Sequence, residues 1–455
     1  MPNLGKGIAS ALTNVVVSNF GGGSQDYETP FVSPLCFKTY GACRLGRHPA
    51  QTDGGSAALF ISKRRFQLIH SCLTGQPILP CQRHLFDIPD DVTYLNCAFM
   101  SPMMRPVMEA GTAGLVRKAH PWEITPNQFF TGAEEFRAAA GRIFGCSPDC
   151  VAIVPAVSYG TSTAARNLPV RKGQSILVLA EQFPSNYYPW QRLAKENGAS
   201  LKTVPWPADH DWTAAVLNSL TAEVAIAALP HVHWTSGGWL DLVSIGKACR
   251  KNGATLVLDL TQSLGALPFS IGEVQPDFAV AASYKWLLGP YSIGLLYVAP
   301  KWHGGQPLEE NWIQRANARD FASLMQYAAN YDEGARRFDM GERSNFALLP
   351  AATRAMEQLL AWGVREISAT CGALSRELAE ESARLGFCSP PEELRAPHYL
   401  CLRREGGITS ELPTILAREK VFVSVRGSSV RVTPHVYNLV EDVRRLISLL
   451  GTQKG

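Results

Sequence analysis

Six short runs of apolar and β-branched residues recur along the middle of the chain: "VAIVPA" (151–156), "SILVLA" (175–180), "VAIAALP" (224–230), "TLVLDL" (255–260), "FAVAAS" (278–283) and "GLLYVA" (294–299). Between several of them lie segments with helical spacing, such as "NYYPWQRLAKENG" and "DLVSIGKACRKNG", each closing on a glycine as a helix C-terminus should. Runs that are apolar throughout, rather than alternating, belong to strands covered on both faces. Separated by helices, they predict an α/β fold with a mostly parallel central sheet and flanking helices. Ligands of such a sheet bind at the carboxyl ends of the strands, so the residues just after each run are the candidates for chemistry.

The ends of the chain are patterned differently. Residues 1–83 contain "FGGGSQ" and "TDGGSA", no sustained periodicity, and eight Lys/Arg against three acids, Asp26, Glu28 and Asp53. Few acids beside Arg and Ser suit an organellar transit peptide, but no amphipathic helix is legible. Aperiodic Gly-rich sequence buries little apolar surface, which favours a disordered or non-native extension, such as a start codon placed too far upstream would give. Residues 84–336 then form a large domain with an N-terminal arm over 84–104. Residues 337–455 read as a smaller C-terminal α+β domain: a long helical region over roughly 347–385, "HYLCLRR", a helix at 410–420, "VFVSVRG", "SVRVTPHV" and the amphipathic "LVEDVRRLISLL".

Composition narrows the classes. With 46% hydrophobic and 18% charged residues, the chain is ordinary globular material. A net charge of +4, with no basic run beyond Lys63–Arg64–Arg65, gives no reason to expect nucleic acid. No apolar stretch is long enough to span a membrane. The eleven cysteines lack paired C-x-x-C spacing, and Cys146 and Cys150 have no partner pair to complete a zinc site. No metal is expected, and reduced thiols suit a cytoplasmic protein, with organellar import through residues 1–83 as the alternative.

The strand ends carry a coherent set. After 151–156, Ser158, Tyr159 and Gly160 open a helix, where hydroxyls and free N–H groups suit a phosphate or serve as an ordinary N-cap. After 175–180, Phe183 either lies over a flat ring or packs in the core. The run at 255–260 delivers Asp259 and Gln262. A carboxylate at the end of an apolar strand must be paired, with backbone N–H groups or with a cationic heteroaromatic nitrogen. After 278–283 come Ser283, Tyr284 and Lys285. That lysine either snorkels to solvent or is a buried amine whose lowered pKa makes it a nucleophile and base. A ring with an anionic arm, a stacking face, an acid for a ring nitrogen and an amine for an aldehyde together describe pyridoxal 5'-phosphate (PLP). Its ring withdraws electrons from a carbanion at a substrate Cα.

The segments "EQFPSNYYPW", "DLTQSLGALP" and "SYKWLLGPYSIGLLYV" resemble the class V aminotransferase family of fold-type I PLP enzymes, which includes cysteine desulfurases, kynureninases and isopenicillin-N epimerases. The resemblance runs from "VTYLNCAFMSP" (92–102) to the C-terminus. It implies Lys285 as the Schiff-base lysine, Asp259 as partner of the pyridine nitrogen, Gln262 at the ring hydroxyl and Phe183 stacked on the ring. Ser158, Tyr159, Ser283 and Tyr284 would hold the phosphate, and Arg431, in "VRVTPHVYN", the substrate α-carboxylate, a bidentate task suited to a guanidinium. Asn96, Trp234 and Arg343 are further candidate substrate contacts, Trp234 standing where desulfurases carry Asn. His231 and His233, which flank it, suit packing or a hydrogen bond to the cofactor better than acid–base work. Relatives are homodimers that share active sites.

Departures from the family pattern are informative. "SVRGSSVRV" places Ser428 and Ser429 where a desulfurase needs its cysteine, and a hydroxyl is a far weaker nucleophile than a thiolate. The kynureninase Gly-Asn-Ser-Leu-Gly motif is replaced by "NCAFMSP". The expectation is an aminotransferase-like enzyme acting at Cα of an α-amino acid, with C–S or C–N lyase and epimerase as alternatives. A scaffold that kept the fold and lost the chemistry is the alternative from outside enzymology. The joint presence of Asp259, Gln262 and Lys285 argues against that last reading.

Overall fold

All six apolar runs form strands of one sheet in the computed structural model, which describes residues 78–452. After a short β1 (Thr93–Tyr94) come β2 (Val151–Val154), β3 (Ser175–Leu179), β4 (Ser200–Val204), β5 (Val224–Pro230), β6 (Thr255–Asp259), β7 (Phe278–Ala282) and β8 (Gly294–Val298). The seven-stranded sheet has the order β2-β8-β7-β6-β5-β3-β4. Strands β4, β3, β5, β6 and β7 pair in parallel, while β8 runs antiparallel to both β7 and β2. The mostly parallel sheet expected from the sequence is therefore present. Side chains alternate between two buried layers: Ile153, Leu177, Leu258 and Ala281 pack to one side, and Val154, Val178, Val257 and Val280 to the other.

The helices obey their local signals. Asp241 caps the helix Leu242–Asn252 by accepting from the N–H groups of Val243 and Ser244, and Gly253 ends it at φ +71°. The helix Val157–Asn167 lies close on the sheet: a Cβ at Gly160 would stand 2.6 Å from a γ-methyl of Val280 on β7. That contact fixes the helix N-terminus over the strand ends.

The C-terminal part holds β9 (Phe387–Cys388), β10 (Leu400–Arg404), β11 (Val421–Phe422), β12 (Ser424–Arg426) and β13 (Ser429–Val432). An antiparallel sheet of order β12-β13-β10-β9 packs with the helices Val364–Arg384 and Val440–Gly451 around Leu374, Leu402, Val432 and Leu446. Strand β1 pairs in parallel with β11, which ties the N-terminal arm to this part. The helical region begins as Leu348–Trp362, turns at Gly363 (φ +84°) and continues as Val364–Arg384. Its first half places Ala351, Ala352 and Met356 in the hydrophobic cluster of the large sheet, and Ile367 and Cys371 of its second half join the same cluster. Residues 1–77 of the expected N-terminal extension lie outside the described residues. The last stretch of it is held in place: Leu79 N–H donates to Thr370 Oγ1 at 2.9 Å and Gln82 N–H to the Val436 carbonyl at 2.8 Å. No helix among the described residues is long and apolar enough to cross a membrane.

One buried ion cluster pins the β2 edge of the sheet. Asp339 accepts from Arg137, from Arg343 and, at 2.8 Å, from the Ile153 N–H of β2, with all three ionic side chains fully buried. The Arg343 expected at the substrate is thus turned inward to Asp339. Two guanidiniums share one carboxylate there, so removing it leaves uncompensated buried charge. Asp339→Ala is expected to lose about 3–5 kcal/mol of stability, read from the midpoint of denaturant unfolding. A loss below ~1 kcal/mol would show that the cluster is not a structural anchor.

Candidate active site

Desolvation at the strand ends defines the site. Asp259 is the last residue of β6 and Lys285 follows three residues after β7 ends, on the neighbouring strand. They are 8% and 7% exposed. Burial pushes the Asp259 carboxyl up, opposed by hydrogen bonds from Thr261, whose N–H donates at 2.9 Å, and by Lys285. Burial also lowers the Lys285 amine from 10.5 to about 8. Asp259 opposes this shift, while Arg431 and Arg426 add to it. The amine is therefore available as a neutral nucleophile close to physiological pH.

Lys285 Nζ stands 5.6 Å from the centre of the Phe183 ring and 5.5 Å from that of Tyr284. Phe183 meets Trp234 edge to face at 5.4 Å, and Trp234 Nε1 donates to the Glu181 carbonyl at 2.7 Å. Lys285, Tyr284, Phe183 and Trp234 line one cavity of about 440 Å³ together with Ser158, Ser185, Asp259, Gln262, Tyr291 and Ser292. Ala156, the N-cap of the helix Val157–Asn167, supplies no side-chain oxygen to that helix, and the first turn at Ala156, Val157 and Ser158 faces the cavity. First-turn N–H groups left in this way suit an anion.

Not every candidate from the sequence reaches the cavity. The Tyr159 hydroxyl donates instead to Glu309 at 3.1 Å, one helical position away from Ser158 and on another face. The Ser283 hydroxyl donates to the Pro290 carbonyl at 2.6 Å and holds the turn after Lys285 closed. His231 and His233 are buried and held neutral by desolvation, at about 3 and about 4. His233 stacks on Trp212 at 4.8 Å and does not line the cavity. Gln262 does line it, but its amide is already engaged, accepting from Trp286 Nε1 at 3.0 Å and donating to the Ala98 carbonyl at 3.2 Å.

The small sheet approaches from the other side. Arg431 donates to the Trp234 carbonyl at 3.2 Å and to Ser424 Oγ at 3.0 Å, and the Ser424 hydroxyl donates in turn to Asn96 Oδ1 at 2.8 Å. Arg431 is nearly fully buried, and its Nε has no partner. Asn96, Arg431 and Trp234 are therefore joined across the arm, the small sheet and the loop after β5. Ser185, Tyr291 and Ser292 are lining residues that sequence reasoning passed over. The signal for the last two was "GPYSIG", whose turn holds Leu288 and Ser292 in left-handed conformations at φ +54° and +64°.

The donor set fits a flat, anionic, aldehyde-bearing ring: an acid and an amine at the ends of adjacent strands, an aromatic ring beside the amine, and a helix N-terminus facing the same cavity. The class that this fold and site define is also the one that comparison finds. The chain belongs to the class V aminotransferase family, whose model (Aminotransferase class-V) matches residues 116–449, and it is accordingly a PLP-dependent enzyme. It is similar to the uncharacterized aminotransferase YcbU of Bacillus subtilis, with 26% identity over 82% of this chain and 97% of that one. It is also similar to a probable cysteine desulfurase of Pyrococcus abyssi, 26% identical over 47% of this chain and 55% of that one. Its fold matches a solved lysine mutant of C-DES with glycine covalently linked to its PLP cofactor, at TM-score 0.72 and 19% identity over 82% of this chain and 99% of that one.

The amine's position sets a pH dependence. Only the neutral form of Lys285 attacks an aldehyde, so the rate at which cofactor-free protein takes up PLP is expected to rise with pH through a midpoint near 8 and level off above it. Arg431→Ala removes a cation that disfavours the charged amine, so the midpoint should move upward. A midpoint near that of an exposed lysine in the wild type would show that the amine is not desolvated.

Proposed function

We propose that the protein transforms an α-amino acid at Cα, as an aminotransferase-like enzyme, with Lys285 as both the cofactor-holding amine and the proton-transfer base. The observation that carries this reading is the buried Lys285–Asp259 pair on neighbouring strand ends, with Phe183 beside the amine. When bound, PLP supplies an electron sink for negative charge at the substrate Cα. In this reading Asp259 pairs with the ring nitrogen, Phe183 covers the ring face, and the first turn at Ser158, with Tyr284, holds the phosphate. Arg431, braced by Ser424 and Asn96, takes the α-carboxylate and so presents the Cα–H to Lys285 Nζ. With its pKa lowered to about 8, that amine in its neutral form then accepts the proton.

The reading excludes persulfide chemistry at this site. No cysteine is among the residues lining the cavity. Cys97 lies against the Lys285 carbonyl at 3.8 Å, but it is fully buried and burial holds its thiol well above the ordinary range. We further read the chain as a homodimer, supported by Phe99 and Met100, apolar and exposed on the arm that hydrogen-bonds the Tyr284 carbonyl through Ser101, and by Tyr291, which lines the cavity and is 61% exposed. We also read the placement as cytoplasmic, supported by eleven cysteines without paired C-x-x-C spacing.

The test is a panel of amino acids in deuterated water, with and without keto-acid acceptors. Exchange of the Cα proton is expected with the preferred substrates, and Lys285→Ala should slow it by about 10²–10⁴-fold. A new amino acid matched to a new keto acid marks transamination, a keto acid with ammonia and no acceptor marks a lyase, and racemisation marks an epimerase. If no amino acid exchanges its Cα proton faster with wild type than with Lys285→Ala, the reading is wrong.

A further inference from the structure

Strands β12 and β13 pair antiparallel, with Ser424 opposite Arg431 and Arg426 opposite Ser429. Residues directly opposite share a face, and so do residues two apart on one strand. Ser424, Arg426 and Arg431 therefore sit on one face of the small sheet. Both arginines reach the same cavity-lining residue of the large domain. Arg431 donates to the Trp234 carbonyl at 3.2 Å, and the Arg426 guanidinium lies 5.1 Å from the centre of the Trp234 ring. From that ring the path continues to Phe183 at 5.4 Å and from Phe183 to Lys285 Nζ at 5.6 Å.

The two cations differ in how they are held. Arg431 is buried and hydrogen-bonded, whereas Arg426 is exposed and rests on the indole face by a cation–π contact. No ion pair joins Arg426 or Arg431 to a carboxylate among the described residues. Their like charges act on each other and on the Lys285 amine. One α-carboxylate occupies one guanidinium in a bidentate pair, which leaves the second guanidinium on Trp234 unneutralised.

We propose that Arg426 is a specificity-determining residue for a substrate with a second anionic group, an α-amino acid whose side chain ends in a carboxylate or an equivalent anion. This inference rests on the reading of Arg431 as the α-carboxylate site and of Lys285 as the reacting amine. With Arg431 holding one anion, the cation above Trp234 holds the other, so the Cα between them is presented to Lys285. A neutral side chain leaves Arg426 without a counterion, and a cationic one meets repulsion from it, so selection works by attraction and by exclusion together.

The experiment uses protein loaded with PLP, loading being read first from cofactor that borohydride fixes to the protein in wild type and not in Lys285→Ala. Unreactive acids are then titrated calorimetrically: glutarate, with two carboxylates, against butyrate, with one. Wild type should bind glutarate at least about tenfold more tightly than butyrate, a difference of roughly 1.4 kcal/mol. Arg426→Ala should collapse that ratio toward one, Arg426→Lys should keep part of it, and Arg426→Glu should invert it. With amino acids, Arg426→Ala should raise KM for acidic substrates more than it lowers kcat. Loaded protein with a wild-type ratio near one, or a ratio unchanged in Arg426→Ala, overturns this inference and leaves the Lys285 reading standing. Failure of wild type to load overturns both.

Discussion

Removing water from one amine is the constraint around which this molecule is arranged. Lys285 would be an ordinary lysine at the end of β7 if solvent reached it. Burial lowers its pKa to about 8, and it does so against the pull of Asp259. The opposing tendencies are both required: without burial the amine stays protonated, and without a nearby acid and a polar cavity a buried amine is costly. The parallel sheet makes the balance feasible. Asp259 and Lys285 leave adjacent strands at the same edge, where the backbone opens into a cavity instead of continuing into packed core.

The smaller sheet contributes charge where the large sheet contributes chemistry. Arg426 and Arg431 of that sheet contact Trp234 of the cavity wall and add to the lowering of the Lys285 pKa. They are placed there by ties that run through the N-terminal arm, from β1 paired with β11, through Asn96, to Ser424 and Arg431. The arm also carries Ser101, whose N–H bonds the Tyr284 carbonyl next to Lys285. In the proposed reading, substrate recognition and amine reactivity depend on the same contacts between the two parts of the chain, and a change that loosens the arm should disturb both.

Much of this was legible in the residues. Continuous apolar runs identify fully covered strands, and six of the seven strands of the large sheet were legible in that way. Strand β4 was not, because "SLKTV" is an edge strand with solvent-facing Ser, Lys and Thr and lacks the apolar continuity of its neighbours. Among the candidate site residues, Lys285, Asp259, Gln262, Phe183, Ser158, Tyr284 and Trp234 are brought together around one cavity. Asn96 and Arg431 stand outside that lining, tied to Ser424 and the Trp234 carbonyl, and so do Tyr159, Ser283 and Arg343. A position one or two residues along a helix or turn points elsewhere, and the polar groups of these last three meet Glu309, Pro290 and Asp339 first. Arg426 went unnoticed because its meaning lies in the register of β12 with β13 and in the face of Trp234, neither of which a single sequence displays.

The central claim is that Lys285 is the amine that holds the cofactor. Borohydride reduction of the PLP-loaded protein, followed by protease digestion and mass spectrometry, tests it most directly. The account predicts one modified peptide, containing "SYKW", with the added mass of the reduced cofactor on Lys285. Modification spread over several surface lysines, or concentrated on a lysine other than Lys285, would contradict it.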